Sequence, residues 1–67
     1  MTSRLKSAVD AYVATPAEDL ERRAELFDAI EQWLYAEFEA EPDMTEAKLA
    51  QIDVTAMAQA YIDRATY

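Results

Sequence analysis

The chain contains no glycine, and its only prolines are Pro16 and Pro42. Tight β-hairpin turns depend on residues that readily adopt positive φ, glycine above all, so a chain without glycine is poorly suited to a β fold. Proline is tolerated in the first turn of a helix but breaks a helix interior. The sequence therefore predicts an all-α fold, a small bundle of three to four helices with loops near the two prolines.

A length of 67 residues lies near the lower limit for a chain that folds alone, so we expect one helical domain over residues 1–67. Cysteine and histidine are absent, which excludes disulfides, Cys/His zinc sites and catalysis by a thiol or an imidazole. The sequence predicts no cofactor and no bound metal. It also offers no nucleophile with a neighbouring base, so we expect no enzyme activity.

Apolar residues are dispersed along the chain rather than concentrated in one segment. No stretch approaches the ~18 uncharged apolar residues that span a bilayer, and residues 1–6 lack the apolar run of a signal peptide. Six basic and fourteen acidic residues leave a formal net charge of -8, which disfavours binding to anionic lipid or directly to nucleic acid. We therefore expect a cytoplasmic protein with no membrane partner.

The first predicted helix runs from about Ser3 to Ala14. Apolar residues recur there at the spacing that lines one face of a helix, at Leu5, Ala8, Val9, Tyr12 and Val13.

A long second helix is predicted from Pro16 to about Ala40. The Thr15 hydroxyl and the Glu18 carboxylate have the spacing of a capping box, and Pro16 suits the first helical position. At 1.5 Å per residue this helix spans ~37 Å, which makes it the central element of the predicted bundle.

The apolar arc of the second helix is broad. Projected at ~100° per residue, one arc holds Leu20, Ala24, Phe27, Ile30, Leu34, Tyr35 and Phe38. Leu26 and Trp33 widen it beyond what one neighbouring hairpin covers. We therefore predict an apolar interface at Leu26, Ile30 and Trp33 that forms a homodimer or binds a partner.

Glu31 projects into the same arc. We expect its carboxylate to reach solvent, to pair with a base such as Arg4 or Arg64, or to be protonated.

The third stretch begins after Pro42, with Asp43 or Thr45 as the capping residue. The pattern leaves open whether it forms one helix or two. We favour a break near residues 52–54, with Asp53 capping a separate last helix.

The negative charge is concentrated in residues 16–43, which hold ten acidic and two basic side chains. Opposite the apolar arc, the helical projection predicts an acidic face formed by Glu18, Glu21, Glu25, Asp28 and Glu39. One interpretation is a solvated face that keeps the protein soluble. The other is a row of carboxylates that imitates a phosphate backbone and docks on a basic surface.

Two functional hypotheses follow from these surfaces. The first is a small acidic module that inhibits or regulates a nucleic-acid-handling protein, by class-level analogy with the acidic inhibitors and DNA mimics of bacteriophages. The alternative is a structural or regulatory helical homo-oligomer that binds its partner through the apolar patch around Leu26, Ile30 and Trp33.

Overall fold

A computed structural model describes residues 3–66, which form four α-helices and no strand. The helices are α1 (Ser3–Ala14), α2 (Leu20–Glu39), α3 (Glu46–Ala50) and α4 (Val54–Thr66). The prediction of an all-α fold with three to four helices is confirmed.

Three of the helices build the bundle. α1, α2 and α4 contact one another pairwise, whereas α3 contributes no buried residue. One apolar core lies between the three, formed by Leu5, Val9, Ile30, Leu34, Val54, Ala58 and Ile62. The bundle is elongated, with extents of 39 × 20 × 19 Å and a radius of gyration of 12.5 Å, against about 11 Å for a compact domain of this length.

α1 has the predicted bounds and runs antiparallel to α2. The Tyr12 ring packs edge-on against Phe27, with centroids 6.2 Å apart, while Arg4 at the other end of α1 lies over Trp33. The first turn of α1 therefore lies beside the C-terminal half of α2.

The predicted start of α2 at Pro16 is wrong, because the helix begins at Leu20. The Thr15 hydroxyl donates to the Ala11 carbonyl of α1 at 2.7 Å, so it does not form the predicted capping box. Asp19 caps the helix instead, since its carboxylate accepts a hydrogen bond from the Arg22 N–H at 3.2 Å. The helix is shortened to 20 residues, or about 30 Å.

The buried face of α2 is rotated from the predicted arc. Leu26, Ile30 and Leu34 are buried, whereas Leu20 is 74% exposed and Tyr35 is 40% exposed. Tyr35 lies ~140° from Ile30 around the helix axis and turns away from the packed neighbours. Leu20 has the same direction as Phe38, which packs against the core, but it is the first residue of α2 and is exposed at the end of the helix. Two members of the predicted apolar arc are therefore surface residues.

The break between the last two helices lies where it was favoured. The Thr45 hydroxyl accepts from the Lys48 N–H at 3.2 Å and caps α3. The Asp53 carboxylate accepts from the Ala56 N–H at 3.0 Å at the start of α4. α4 then buries Val54, Ala58 and Ile62, which follow at intervals of four residues.

Candidate functional site

The acidic face lies on the solvent side of α2. Glu21, Glu25, Asp28 and Glu39 are all on this helix and all exposed, and Glu18 lies in the turn that precedes it. The first three fall within about two turns, and Glu39 follows on the same side about 16 Å further along the axis. The structure thus brings Glu21, Glu25 and Asp28 together, with Glu18 and Glu39 beyond the two ends of that row.

Basic residues of α2 neutralise little of this face. Arg22 Nη1 pairs with Glu25 Oε2 at 3.3 Å, but both side chains are more than half exposed, and such surface pairs contribute about 0–1 kcal/mol. Arg23 turns the other way and places its guanidinium 4.8 Å from the centroid of the Tyr12 ring. The exposed side of α2 therefore keeps a strong negative charge.

Two apolar side chains border the acidic face. Leu20 precedes Glu21 at the start of α2, and Tyr35 follows Asp28 by two turns on nearly the same line. Both are exposed, and tyrosine in particular supplies large contact area in protein interfaces. Both belong to the apolar arc of the sequence pattern, and only the packed bundle reveals them as surface residues.

The predicted apolar interface lies mostly inside the single chain. Leu26 is 8% exposed and Ile30 is 0% exposed, and Trp33 is half-buried against the core. The reason is that α1 and α4 both pack on α2 and cover the broad arc that a second copy was expected to cover. Within this patch, a partner-binding role stays a prediction for Trp33 alone.

Trp33 forms part of an open groove between the first turn of α1 and the C-terminal half of α2. The groove has a volume of about 630 Å³. The guanidinium carbon of Arg4 lies 5.0 Å from the centroid of the Trp33 ring. The residues that line the groove are Ser3, Arg4, Trp33, Ala36, Glu37, Ala40 and Glu41. Because these residues are some thirty positions apart in the sequence, no local pattern could have found the groove.

Glu31 has a partner other than the bases considered from the sequence. It is half-buried, and its Oε2 accepts a hydrogen bond from the Thr55 hydroxyl at 3.0 Å. Arg4 lies over Trp33, and Arg64 lies over the Tyr61 ring at 5.8 Å. The first turn of α4 thus meets α2 at Glu31 and satisfies its carboxylate with a neutral donor.

Among residues 3–66, no three His, Cys, Asp or Glu side chains come together in a way that could hold a metal ion. None of the helices described there is both long enough and apolar enough to cross a bilayer.

Comparison of the chain with protein-family models, curated proteins and solved structures finds no match.

Proposed function

We propose that this chain is a small, non-enzymatic protein-binding module that docks the acidic face of α2 on a basic surface of another protein. The partner class that fits this charge is a protein that handles nucleic acid, which the module inhibits or regulates by occupying the surface that binds phosphates. The observation that carries the proposal is the alignment of Glu21, Glu25 and Asp28, all exposed, on one side of a helix whose other side is packed.

The spacing of the carboxylates suits a phosphate-binding surface. Glu21 and Asp28 are seven residues apart, which corresponds to about 10 Å along the helix axis. One strand of B-DNA carries about three phosphates over the same axial length. A row of three carboxylates on a rigid helix can therefore pair with lysine and arginine side chains arranged for a phosphate backbone.

Charge alone accounts for fast association more than for tight binding. Strong complexes also need desolvated apolar or aromatic contacts. Leu20 and Tyr35 lie beside the acidic row and are exposed, so they supply such contacts without disturbing the core. The proposed docking surface therefore consists of Glu21, Glu25 and Asp28 with Leu20 and Tyr35 at its ends.

Capture of partners from a native lysate tests this proposal. The variant E21K/E25K/D28K reverses the row, and D10K/E46K/D63K is a matched control with the same change in net charge at exposed positions elsewhere. We expect the wild type and the control to retain a common partner in low salt, and the reversed variant to lose it. A short DNA duplex should release that partner, because it competes for the same basic surface.

Equal capture by all three proteins, or equal loss in both triple variants, contradicts the proposal. A captured partner that DNA does not displace contradicts the part that concerns nucleic-acid-handling proteins. Far-UV circular dichroism confirms that each variant remains helical.

Self-association stays a prediction as well. A homodimer cannot use Leu26 or Ile30 without opening the core, which leaves Trp33 as the accessible member of the predicted interface. Light scattering of the wild type and Trp33→Ala over a range of concentrations tests whether a dimer forms and whether it depends on this residue.

A further inference from the structure

We infer that the Trp33 groove is a binding site for an arginine side chain of the basic partner, and that Arg4 occupies this site in the free protein. The inference rests on the proposed function only in taking the partner to be basic. It concerns a different surface, the groove between α1 and α2, and not the acidic face.

The groove already binds a guanidinium. Arg4 lies 5.0 Å from the centroid of the Trp33 ring, within the ~6 Å over which a cation is attracted by an aromatic face. Tryptophan is the most favourable ring for this interaction, and a planar guanidinium can also stack on it. The contact shows which chemical group this site accommodates.

The surroundings of Trp33 also favour a cation. Glu37 and Glu41 line the same groove, and the last turn of α2 contains no basic residue. The C-terminal end of a helix carries partial negative charge and attracts cations. An arginine that enters from a partner therefore meets a π face, two carboxylate side chains and a helix C-terminus in one place.

The helix that carries Arg4 does not itself favour a cation at this position. Arg4 lies in the first turn of α1, which contains no acidic residue, and the N-terminal end of a helix disfavours positive charge. Arg4 is thus held by the groove and by the end of α2 rather than by its own helix. An arginine of a partner is not part of α1, so it avoids this unfavourable position at a helix N-terminus.

Among residues 3–66, the Arg4 contact differs from the other two contacts between an arginine and an aromatic ring. Arg23 is half-buried over Tyr12, and its Nε is enclosed by protein, so it cannot leave without disturbing the packing. Arg64 lies further from its ring, at 5.8 Å. Arg4 is exposed beside an open groove, so its side chain can swing into solvent while the core stays closed.

The sole tryptophan of the chain is Trp33, so intrinsic fluorescence reports on this groove directly. The probes are hexa-arginine and hexa-lysine peptides with blocked ends, which carry the same charge. We expect hexa-arginine to bind the wild type more tightly than hexa-lysine does and to change the Trp33 emission.

Arg4→Gln vacates the site, and Arg64→Gln is the matched control, because it removes one positive charge from another exposed arginine that lies over a ring. Arg4→Gln should tighten hexa-arginine binding by about 2- to 5-fold, because the peptide no longer has to displace the cation–π contact between Arg4 and Trp33. Arg64→Gln should leave the Kd close to that of the wild type.

Ala36→Leu, at an exposed position of the groove lining, should abolish the preference for arginine over lysine by obstructing the ring. Equal tightening by Arg4→Gln and Arg64→Gln would show that only net charge matters and would overturn the inference. Equal binding of the two peptides to the wild type would also overturn it.

The two proposals fail separately. If E21K/E25K/D28K loses the lysate partner but keeps the arginine preference at Trp33, both proposals stand. If the arginine preference is absent while partner capture still depends on the acidic row, only the groove is rejected. If the arginine preference is present but the triple variant keeps its partner, only the acidic-face proposal is rejected.

Discussion

The two faces of α2 have nearly the same residue spacing and opposite chemistry. The packed face presents Leu26, Ile30 and Leu34 at intervals of four residues, and the solvent face presents Glu21, Glu25 and Asp28 at intervals of four and three. Packing requires the first set, because α1 and α4 lie against it. The second set contributes less to the fold: Glu21 lies in the first turn of α2, where negative charge is favoured, and Glu25 pairs with Arg22 at the surface, but the neighbouring acids repel one another. The packed face therefore maintains the fold, and the solvent face stays exposed.

The largest expected effect is on the packed face. Ile30 is completely buried, so Ile30→Ala should lower the free energy of unfolding by about 2–5 kcal/mol through lost burial and the cavity left behind. In a domain of this size such a loss is a large fraction of the total stability. Urea denaturation followed by circular dichroism measures it.

Leu20→Ala is the control for that measurement, since it also truncates an apolar residue of α2, but at a position that is 74% exposed. We expect a change within about 0.5 kcal/mol. Comparable losses in the free energy of unfolding from the two substitutions would contradict the distinction between the packed and solvent faces of α2.

An intermediate effect on the free energy of unfolding is expected at the helix caps. Asp53 caps α4, which supplies three buried residues, whereas Thr45 caps α3, which supplies none. Asp53→Ala should therefore lower the free energy of unfolding by about 1 kcal/mol, the usual cost of a lost cap. Thr45→Ala should have a smaller effect on global unfolding, because α3 can fray while the core stays intact. Thermal melts of the two variants test this order, and a larger effect at Thr45 would contradict it.

The smallest effect is expected on the acidic face, and it has the opposite sign. Asp28→Asn removes the repulsion between Asp28 and Glu25, three residues apart, and should raise the free energy of unfolding by about 0.2–0.5 kcal/mol in low salt. The gain should fade near 1 M salt, where screening extends over only ~3 Å.

The same substitution should weaken partner capture, so stability and binding change in opposite directions. Denaturation curves at two salt concentrations, together with the capture assay, measure both. A loss of stability in Asp28→Asn would show that the acidic row has a structural role after all.

Local sequence signals predict the structure correctly where one hydrogen bond or one apolar helix face decides it. The bounds of α1 follow from its apolar spacing, and the start of α4 follows from the Asp53 cap. The predicted start of α2 is wrong because two capping residues compete there. The Thr15 hydroxyl bonds back to Ala11, which leaves the role to Asp19.

The candidate sites divide in the same way. Helical periodicity placed Glu21, Glu25 and Asp28 on one exposed side, because side chains three and four residues apart share a helix face. It could not decide which part of the apolar arc faces the core. The arc therefore includes Leu20 and Tyr35, which are exposed, and the predicted interface includes Leu26 and Ile30, which are buried.

By itself, the sequence determined the helical content, the position of most helix ends and the concentration of negative charge on α2. These properties depend on residues within a turn or two of one another. The tertiary structure alone decided the rotation of α2 in the bundle and the meeting of Arg4 with Trp33 across a groove. The apolar arc of α2 is broader than one neighbouring helix can cover. Which part of the arc is buried therefore depends on how α1 and α4 pack together. No local pattern in the sequence records that packing.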